Sequence, residues 1–273
     1  MVKFESNKGK KLHKIFSHPF SQNIWRILPD PDADSNLWAI ELREAEGKKV
    51  SFAVADVAVQ QLLWHNQPEG TDWWTSLTAF SGKQLFLHNY RYPELPEPTD
   101  LLAVNAANGQ TLWVLPNYLM VKKIAPDRIE VATKAGEQFR HMSCNAETGE
   151  IMPLSGEYKE QSGEIILKEP VRYKQGNPYF DQLGSFIKQV TGGHVAVNID
   201  YLEKRPYIMF SYYIYEQDKA IQYLLIVTNN KQIVLHEQLS EERKGIGRST
   251  MMLKASTLVY LKNNNEFSSL TFS

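Results

Sequence analysis

The chain has 273 residues, 42% hydrophobic and 22% charged: enough apolar material for a packed core and too little charge for a disordered chain. A formal net charge of −1 argues against nucleic-acid binding, because phosphate neutralisation needs a surplus of Lys and Arg. One cysteine, Cys144, excludes an intramolecular disulfide framework and any multi-cysteine metal or iron–sulfur site. No apolar run reaches the ~18–20 residues of a membrane helix, so no membrane partner is expected.

The N-terminus is basic, with Lys3, Lys8, Lys10, Lys11 and Lys14. Such a cluster can touch anionic lipid or nucleic acid, but a solvated terminus is the plainer expectation. No apolar stretch of signal-peptide length follows it. With the single cysteine, the expected compartment is the cytoplasm.

Strand signals then dominate in chain order. Short runs rich in Val, Ile, Leu, Tyr, Phe and Trp, bounded by Gly, Asn, Asp or Pro, predict strands over 23–28, 37–42, 49–55, 84–90, 101–105, 110–115, 119–124, 128–133 and 138–143. The later ones fall at 194–201, 207–215, 221–228, 232–238, 250–254, 257–262 and 266–272. Many alternate apolar and polar residues, as half-buried antiparallel strands do. One stretch predicts a helix: Asn177 as N-cap, Pro178 at the first helical position, apolar residues at helical spacing from Tyr179 to Val190, and Gly192-Gly193 as the stop. Residues 57–64 are a weaker helical candidate. A loop at 91–99 carries three prolines and reads as a stiff, extended excursion. A second, polar loop spans 156–176, with a short strand at 164–167 inside it.

The chain also repeats itself. Asn105 to Gly109 and Asn145 to Gly149 share the pattern Asn-Ala-x-x-Gly, with the glycines 40 residues apart. Looser copies are read around Gly47, over 225–234 and over 258–267. Each fits a strand, a tight turn needing positive φ, and a returning strand. A unit of about 40 residues and four strands has the size of a propeller blade. The expected fold is therefore all-β and propeller-like. It should hold about five irregular four-stranded blades (six or seven as alternatives), with a short helix inside an insertion at 156–193. The whole of residues 1–273 is taken as one domain.

Ala103, Val104, Asn105, Gly109 and Trp113 resemble the repeat of the pyrroloquinoline-quinone-type β-propellers: alanine, leucine, aspartate, three residues, glycine, three residues, tryptophan. In the second copy Asn145 and Gly149 match and Pro153 replaces the tryptophan. The chain also resembles uncharacterised bacterial families of unknown function with such folds. The resemblance implies a fold and no activity. Quinoprotein dehydrogenases are much larger and commonly carry adjacent cysteines and a calcium site, so no quinone cofactor is expected.

Local chemistry is sparse. The seven histidines include no pair at zinc-ligand spacing, and no nucleophile elbow, phosphate loop or calcium loop occurs. Asp30, Asp32 and Asp34 alternate without the glycine and distal glutamate of a calcium loop, and read as a polar hairpin. Cys144 reads as an inert strand thiol. No catalytic residue, metal ligand or cofactor is assigned. The candidate binding residues are Trp73, Trp74, His88, Tyr90, Arg91 and Tyr92, together with Asp200: aromatic faces with Arg and Asp nearby bind sugars, bases or peptides. A second aromatic cluster, from Tyr207 to Tyr215, should have one buried strand face.

The expected function is a non-catalytic scaffold for protein interaction, with the loop at 91–99 as the partner-docking element. The alternative is a small-molecule or carbohydrate binder or enzyme with its site at the axial opening.

Overall fold

The computed structural model describes residues 13–81, 83–92, 94–95, 97–154, 167–241, 245–247 and 249–272. Lys3, Lys8, Lys10 and Lys11 of the basic terminus lie outside these residues. So does most of the strand expected over 164–167.

The chain is all-β and propeller-like, and its described residues form five antiparallel sheets and one helix. β1 (His13–Pro19) is followed by β2 (Asn23–Pro29), β3 (Leu37–Glu44), β4 (Lys49–Asp56) and β5 (Gln61–Asn66). β2 to β5 pair in order as the first sheet. β6 (Ser76–Ser81), β7 (Gln84–Asn89), β8 (Asp100–Asn105) and β9 (Thr111–Pro116) form the second sheet. β10 (Tyr118–Ala125), β11 (Arg128–Ala135), β12 (Gln138–Asn145) and β13 (Ile151–Pro153) form the third. After β14 (Leu167–Lys168) and β15 (Val171–Lys174) comes the helix α1 (Phe180–Thr191). β16 (Asn198–Lys204), β17 (Tyr207–Glu216), β18 (Lys219–Thr228) and β19 (Ile233–Gln238) join β15 in the fourth sheet. β20 (Met251–Lys254), β21 (Thr257–Lys262) and β22 (Glu266–Thr271) complete the fifth, between β14 and β1. Among the described residues no helix is long and apolar enough to cross a membrane.

The chain divides into two compact units. The unit Phe20–Ile165 holds the first three sheets. Ala39, Phe52, Val54 and Trp64 of the first sheet pack against Leu77, Leu85, Leu87 and Leu102 of the second. The opposite face of the second sheet, with Phe86, Leu101 and Ala103, packs on Ile129, Val131 and Cys144 of the third. Strands buried on both faces lose the alternation of half-buried ones: every residue from Val50 to Ala55 is buried. The other unit joins residues 1–19 to 166–273. Met209, Leu224 and Ile226 of its fourth sheet pack on Leu253, Leu258 and Tyr260 of the fifth. α1 lays Phe180 and Ile187 on the other face of the fourth sheet, against Ile199, Phe210 and Tyr212. Both faces of β17 are therefore covered, and Tyr212 and Tyr213 are equally buried. One buried face was expected, and the helix explains the second.

The repeat has a sharper form than the sequence suggests. Asn105 and Asn145 accept the N–H of residues 107 and 147 on Oδ1, and their backbone oxygens accept the N–H of Gly109 and Gly149 at 2.9 Å. A third copy starts at Asp56, whose Oδ1 accepts the Ala58 N–H, with Gln60 at φ +60 in the glycine's place and Trp64 in the tryptophan's. Residues 57–64, the weaker helical candidate, are thus this turn and most of β5. Trp64 belongs to the first sheet. Gly47 lies in the β3–β4 turn, a different hairpin, so it is not the equivalent glycine. The helix also begins later than Asn177 implies. Tyr179 is its N-cap, while Asn177 makes a turn one step earlier by accepting the Tyr179 N–H. Gly192 closes it in the left-handed conformation, as expected.

Candidate binding surface

Register fixes where the candidate residues gather. Ser76 pairs with His88, and Asn89 with Asp100. The segment entering β6, with Trp73 and Trp74, and the loop leaving β7, with Tyr90, Arg91 and Tyr92, therefore emerge at one end of the second sheet.

The first strand of each sheet in this unit carries a bulge at the same place, at Trp25, Thr78 and Val121. A bulge inserts an unpaired residue, breaks the ladder locally and re-aims its side chain. The preceding sheet supplies partners for the disturbed backbone. Glu41, fully buried on β3, accepts the Leu77 N–H at 2.8 Å. His88, on β7, accepts the Met120 N–H on Nε2 at 2.9 Å. His88 is buried, and desolvation lowers its pKa to about 4. It is a neutral acceptor at pH 7, which suits its place under the Met120 N–H.

At the first bulge Trp25 is turned outward and is 64% exposed. The Arg43 guanidinium lies between it and Trp73, 5.7 Å from one ring and 5.0 Å from the other. That guanidinium is also fixed in its plane. It donates to Glu41 Oε1 at 2.7 Å, to the Trp73 carbonyl at 2.5 Å and to the Thr75 carbonyl at 2.7 Å. Trp74 beside it is 45% exposed, and its N–H is held by Asp72. The result is an aromatic platform around a guanidinium that is paired with Glu41.

The loop at 91–99 is stapled at its base. Arg91 clamps Asp100 with two nitrogens, at 2.9 and 2.7 Å, and reaches Asn117 Oδ1 at 2.8 Å. Its backbone N–H donates to Thr99 Oγ1, and the Thr99 N–H donates to the Asn89 carbonyl. Beyond this base the described side chains of Tyr92 and Leu95 are 52% and 51% exposed. Tyr90 is half-buried at the start of the loop, its N–H held by Asn89 Oδ1.

Asp200 lies in the other unit, fully buried on β16, and is held by Arg172 through two hydrogen bonds of 2.6 and 2.8 Å. The same arginine donates to the Gly247 carbonyl. Cys144 is buried in β12, and desolvation pushes its thiol up to about 11. Among the described residues no three His, Cys, Asp or Glu side chains converge as a metal site.

Residues 31–113 match the family model described as Domain of unknown function (DUF4905). No curated protein matches the chain. Among solved structures it is similar to BamB from Moraxella catarrhalis, at 10% identity over 96% of this chain and 100% of that one, with a TM-score of 0.30. It is also similar to a member of the DUF4221 family from Bacteroides vulgatus (10% identity, 97% and 98% covered, TM-score 0.36). A third is the β-propeller domain of the Trilobed protease from Pyrococcus furiosus (10% identity, 90% and 65% covered, TM-score 0.33). The DUF4905 match covers the first sheet from β3 onward and the second as far as Trp113 in β9. Within it lie Glu41, Arg43, Trp73, Trp74 and the whole stapled loop.

Sequence reading missed Trp25, Glu41 and Arg43. Glu41 and Arg43 sit two apart on a strand and so share a face, which is legible. That this face meets residues 73–77 of the next sheet is tertiary. Trp25 falls on a predicted strand, and only the bulge turns it outward.

Proposed function

We propose that the protein is a non-catalytic, propeller-like scaffold that docks a protein partner on the end of the unit Phe20–Ile165 bearing the loop at 91–99. One observation carries the reading. The base of this loop is fixed by the Arg91–Asp100–Asn117 clamp while Tyr92 and Leu95 stand exposed beyond it. A pre-organised loop has already met much of the ordering cost of binding, and aromatic anchors supply area with little rotamer entropy. The Trp25–Arg43–Trp73 stack and Trp74 extend the same end with aromatic surface. Of the polar candidates, Arg91, Asp200 and His88 are all engaged in holding backbone and loops.

The same reading takes the repeat to be of the pyrroloquinoline-quinone type, kept for architecture and without cofactor. In its favour, Trp64 Nε1 donates to the Ala106 carbonyl and Trp113 Nε1 to the Ala146 carbonyl, each reaching from one repeat to the next.

The test is site-specific photo-crosslinking in the native cell from position 95, with position 218 of the other unit as control. One protein should be captured from 95 and not from 218. The purified pair should bind at least tenfold more weakly when Tyr92→Ser and Leu95→Ser are combined, with the unfolding transition unchanged. Equal capture from both positions, or unaltered affinity in the double variant, overturns the reading.

A further inference from the structure

A second constellation lies in the other unit, where no motif marks it. His194 follows the end of α1, with its N–H on Thr191 Oγ1. Tyr212 and Tyr223 are directly paired neighbours on β17 and β18, and His236 is on β19 beside Leu225. All four rings meet. The Tyr212 hydroxyl lies 2.7 Å from His194 Nδ1 and 2.8 Å from His236 Nε2. Tyr223 stacks on Tyr212 at 5.7 Å, meets His194 edge-on at 4.8 Å and lies tilted against His236 at 5.5 Å.

We propose that His194 Nδ1, His236 Nε2 and the Tyr212 hydroxyl form a binding site for one late first-row transition-metal ion, Cu(II) before the others. Two ring nitrogens sharing one phenol oxygen is what a three-donor site looks like when protons stand in for the ion. A hydroxyl has one proton, so it donates to one imidazole and accepts from the other. Metal binding needs a lone pair on both nitrogens. The imidazole that was donating moves its proton to its other ring nitrogen, and the phenol releases its own to solvent. The balance is one metal ion bound and one proton released. Each nitrogen then has to approach the ion to about 2.0–2.1 Å, so the ion replaces the hydroxyl proton between donors already gathered around one oxygen.

The donor set selects the metal. Two imidazoles and one phenol oxygen, with no thiolate, suit copper, nickel or zinc, and the divalent stability order peaks at Cu(II). Access comes from the His236 side: His236 is an exposed residue, His194 is half-buried and Tyr212 is fully buried. A fourth position therefore opens to solvent or to a small ligand. Tyr223 holds the rings in place by stacking. In sequence His194 and His236 are 42 residues apart, so no spacing motif reveals them. The fold brings them together because the α1–β16 connection runs beside the fourth sheet.

The experiment titrates tag-free protein with CuCl2 in the presence of glycine as a competing chelator, followed by calorimetry and electron paramagnetic resonance. One equivalent should bind, with nitrogen hyperfine structure. His236→Ala, an exposed change that leaves the unfolding transition in place, should weaken binding at least a hundredfold, and His194→Ala likewise. Tyr212→Phe should weaken it about tenfold and remove a visible phenolate-to-copper absorption band. Binding that is unaltered in the double histidine variant, no binding above the glycine competition, or a band that survives Tyr212→Phe each overturns the site.

Discussion

The indole of Trp113 lies against the α-carbon of Gly149, so close that a methyl group there would sit 2.8 Å from the ring. Trp64 stands in the same relation to Gly109, at 2.7 Å. Each tryptophan is pinned by its N–H to the carbonyl of the alanine three residues before that glycine, so the ring cannot swing away. Both glycines also hold φ near +75. The repeat's glycine thus answers two demands at once: left-handed backbone, and room for the tryptophan of the preceding repeat.

Gly149→Ala and Gly109→Ala should each destabilise the unit Phe20–Ile165 by about 2–4 kcal/mol, adding overpacking to left-handed strain. Gly136→Ala isolates the strain alone. Its φ is +66 and nothing lies within 4 Å of the added carbon, so it should cost only about 1–2 kcal/mol. Urea unfolding of the three variants measures the difference. Equal losses at all three positions would mean that the tryptophan contact contributes nothing.

His88 gives the unit a pH dependence whose sign follows from its burial. Its folded pKa is lowered from 6.5 to about 4. The unfolded chain therefore takes up a proton that the folded one refuses, and stability falls as pH drops from 6.5 towards 4. Above 6.5 both states are neutral and the contribution is flat. The loss amounts to about 3 kcal/mol. His88→Gln keeps an acceptor for the Met120 N–H and carries no charge. It should remove this part of the acid destabilisation, read as the wild-type-minus-variant difference in unfolding free energy at pH 7 and pH 4.5. A difference independent of pH would show that His88 protonates freely in the folded state.

Much of this architecture is written locally. Strand signals at 84–90, 207–215 and 257–262 fall on β7, β17 and β21 within a residue or two, because apolar runs bounded by turn residues have few other uses. Gly109 and Gly149 are legible because positive φ selects glycine. The reading slips where another residue type meets the same demand: Gln60 takes the left-handed position in the copy that starts at Asp56, and the apolar run behind it imitates a helix. β13 and β14, of three and two residues, are too short to carry a period. The candidate surface was half legible. Aromatics near Arg91 mark the end of the second sheet, but Trp25, Glu41 and Arg43 join it only through packing between sheets. Residue type alone groups Asp200 with them, and its partner is Arg172.

The clamp under the loop should control local order more than global stability. Arg91 is partly exposed and Asp100 is buried. Asp100→Asn keeps an acceptor for Arg91 and removes the charge, so the loss should be about 1 kcal/mol. Arg91→Ala leaves the Asp100 carboxylate without its cation and should cost about 1–3 kcal/mol. Both should raise the rate of proteolytic cleavage within 91–99 severalfold, followed by mass spectrometry at native temperature. Cleavage at the wild-type rate in Arg91→Ala would mean that the loop is held by something other than this clamp.

β22 lies between β21 and β1, pairing Glu266 with Pro19 and Thr271 with His13 on one side, and Glu266 with Lys262 on the other. A strand from early in the chain thus pairs with one from its end, and β22, bonded on both sides, presents no free edge that would template aggregation. Phe267 and Leu270 are buried in β22, and Leu270 with Phe272 packs among Tyr207, Leu253 and Tyr260. Ending the chain before Glu266 therefore strips β1 of its partner, bares the edge of β21 and empties part of the core between the fourth and fifth sheets. Removal of a large buried aromatic alone costs about 3–5 kcal/mol, and Phe267 and Phe272 would both be lost, against a total stability of about 5–15 kcal/mol for a domain. The truncated chain should be insoluble, or should lose the cooperative transition of the unit holding the fourth and fifth sheets. A soluble truncation that still unfolds cooperatively in that unit would show that β1 and β21 can pair without the strand between them.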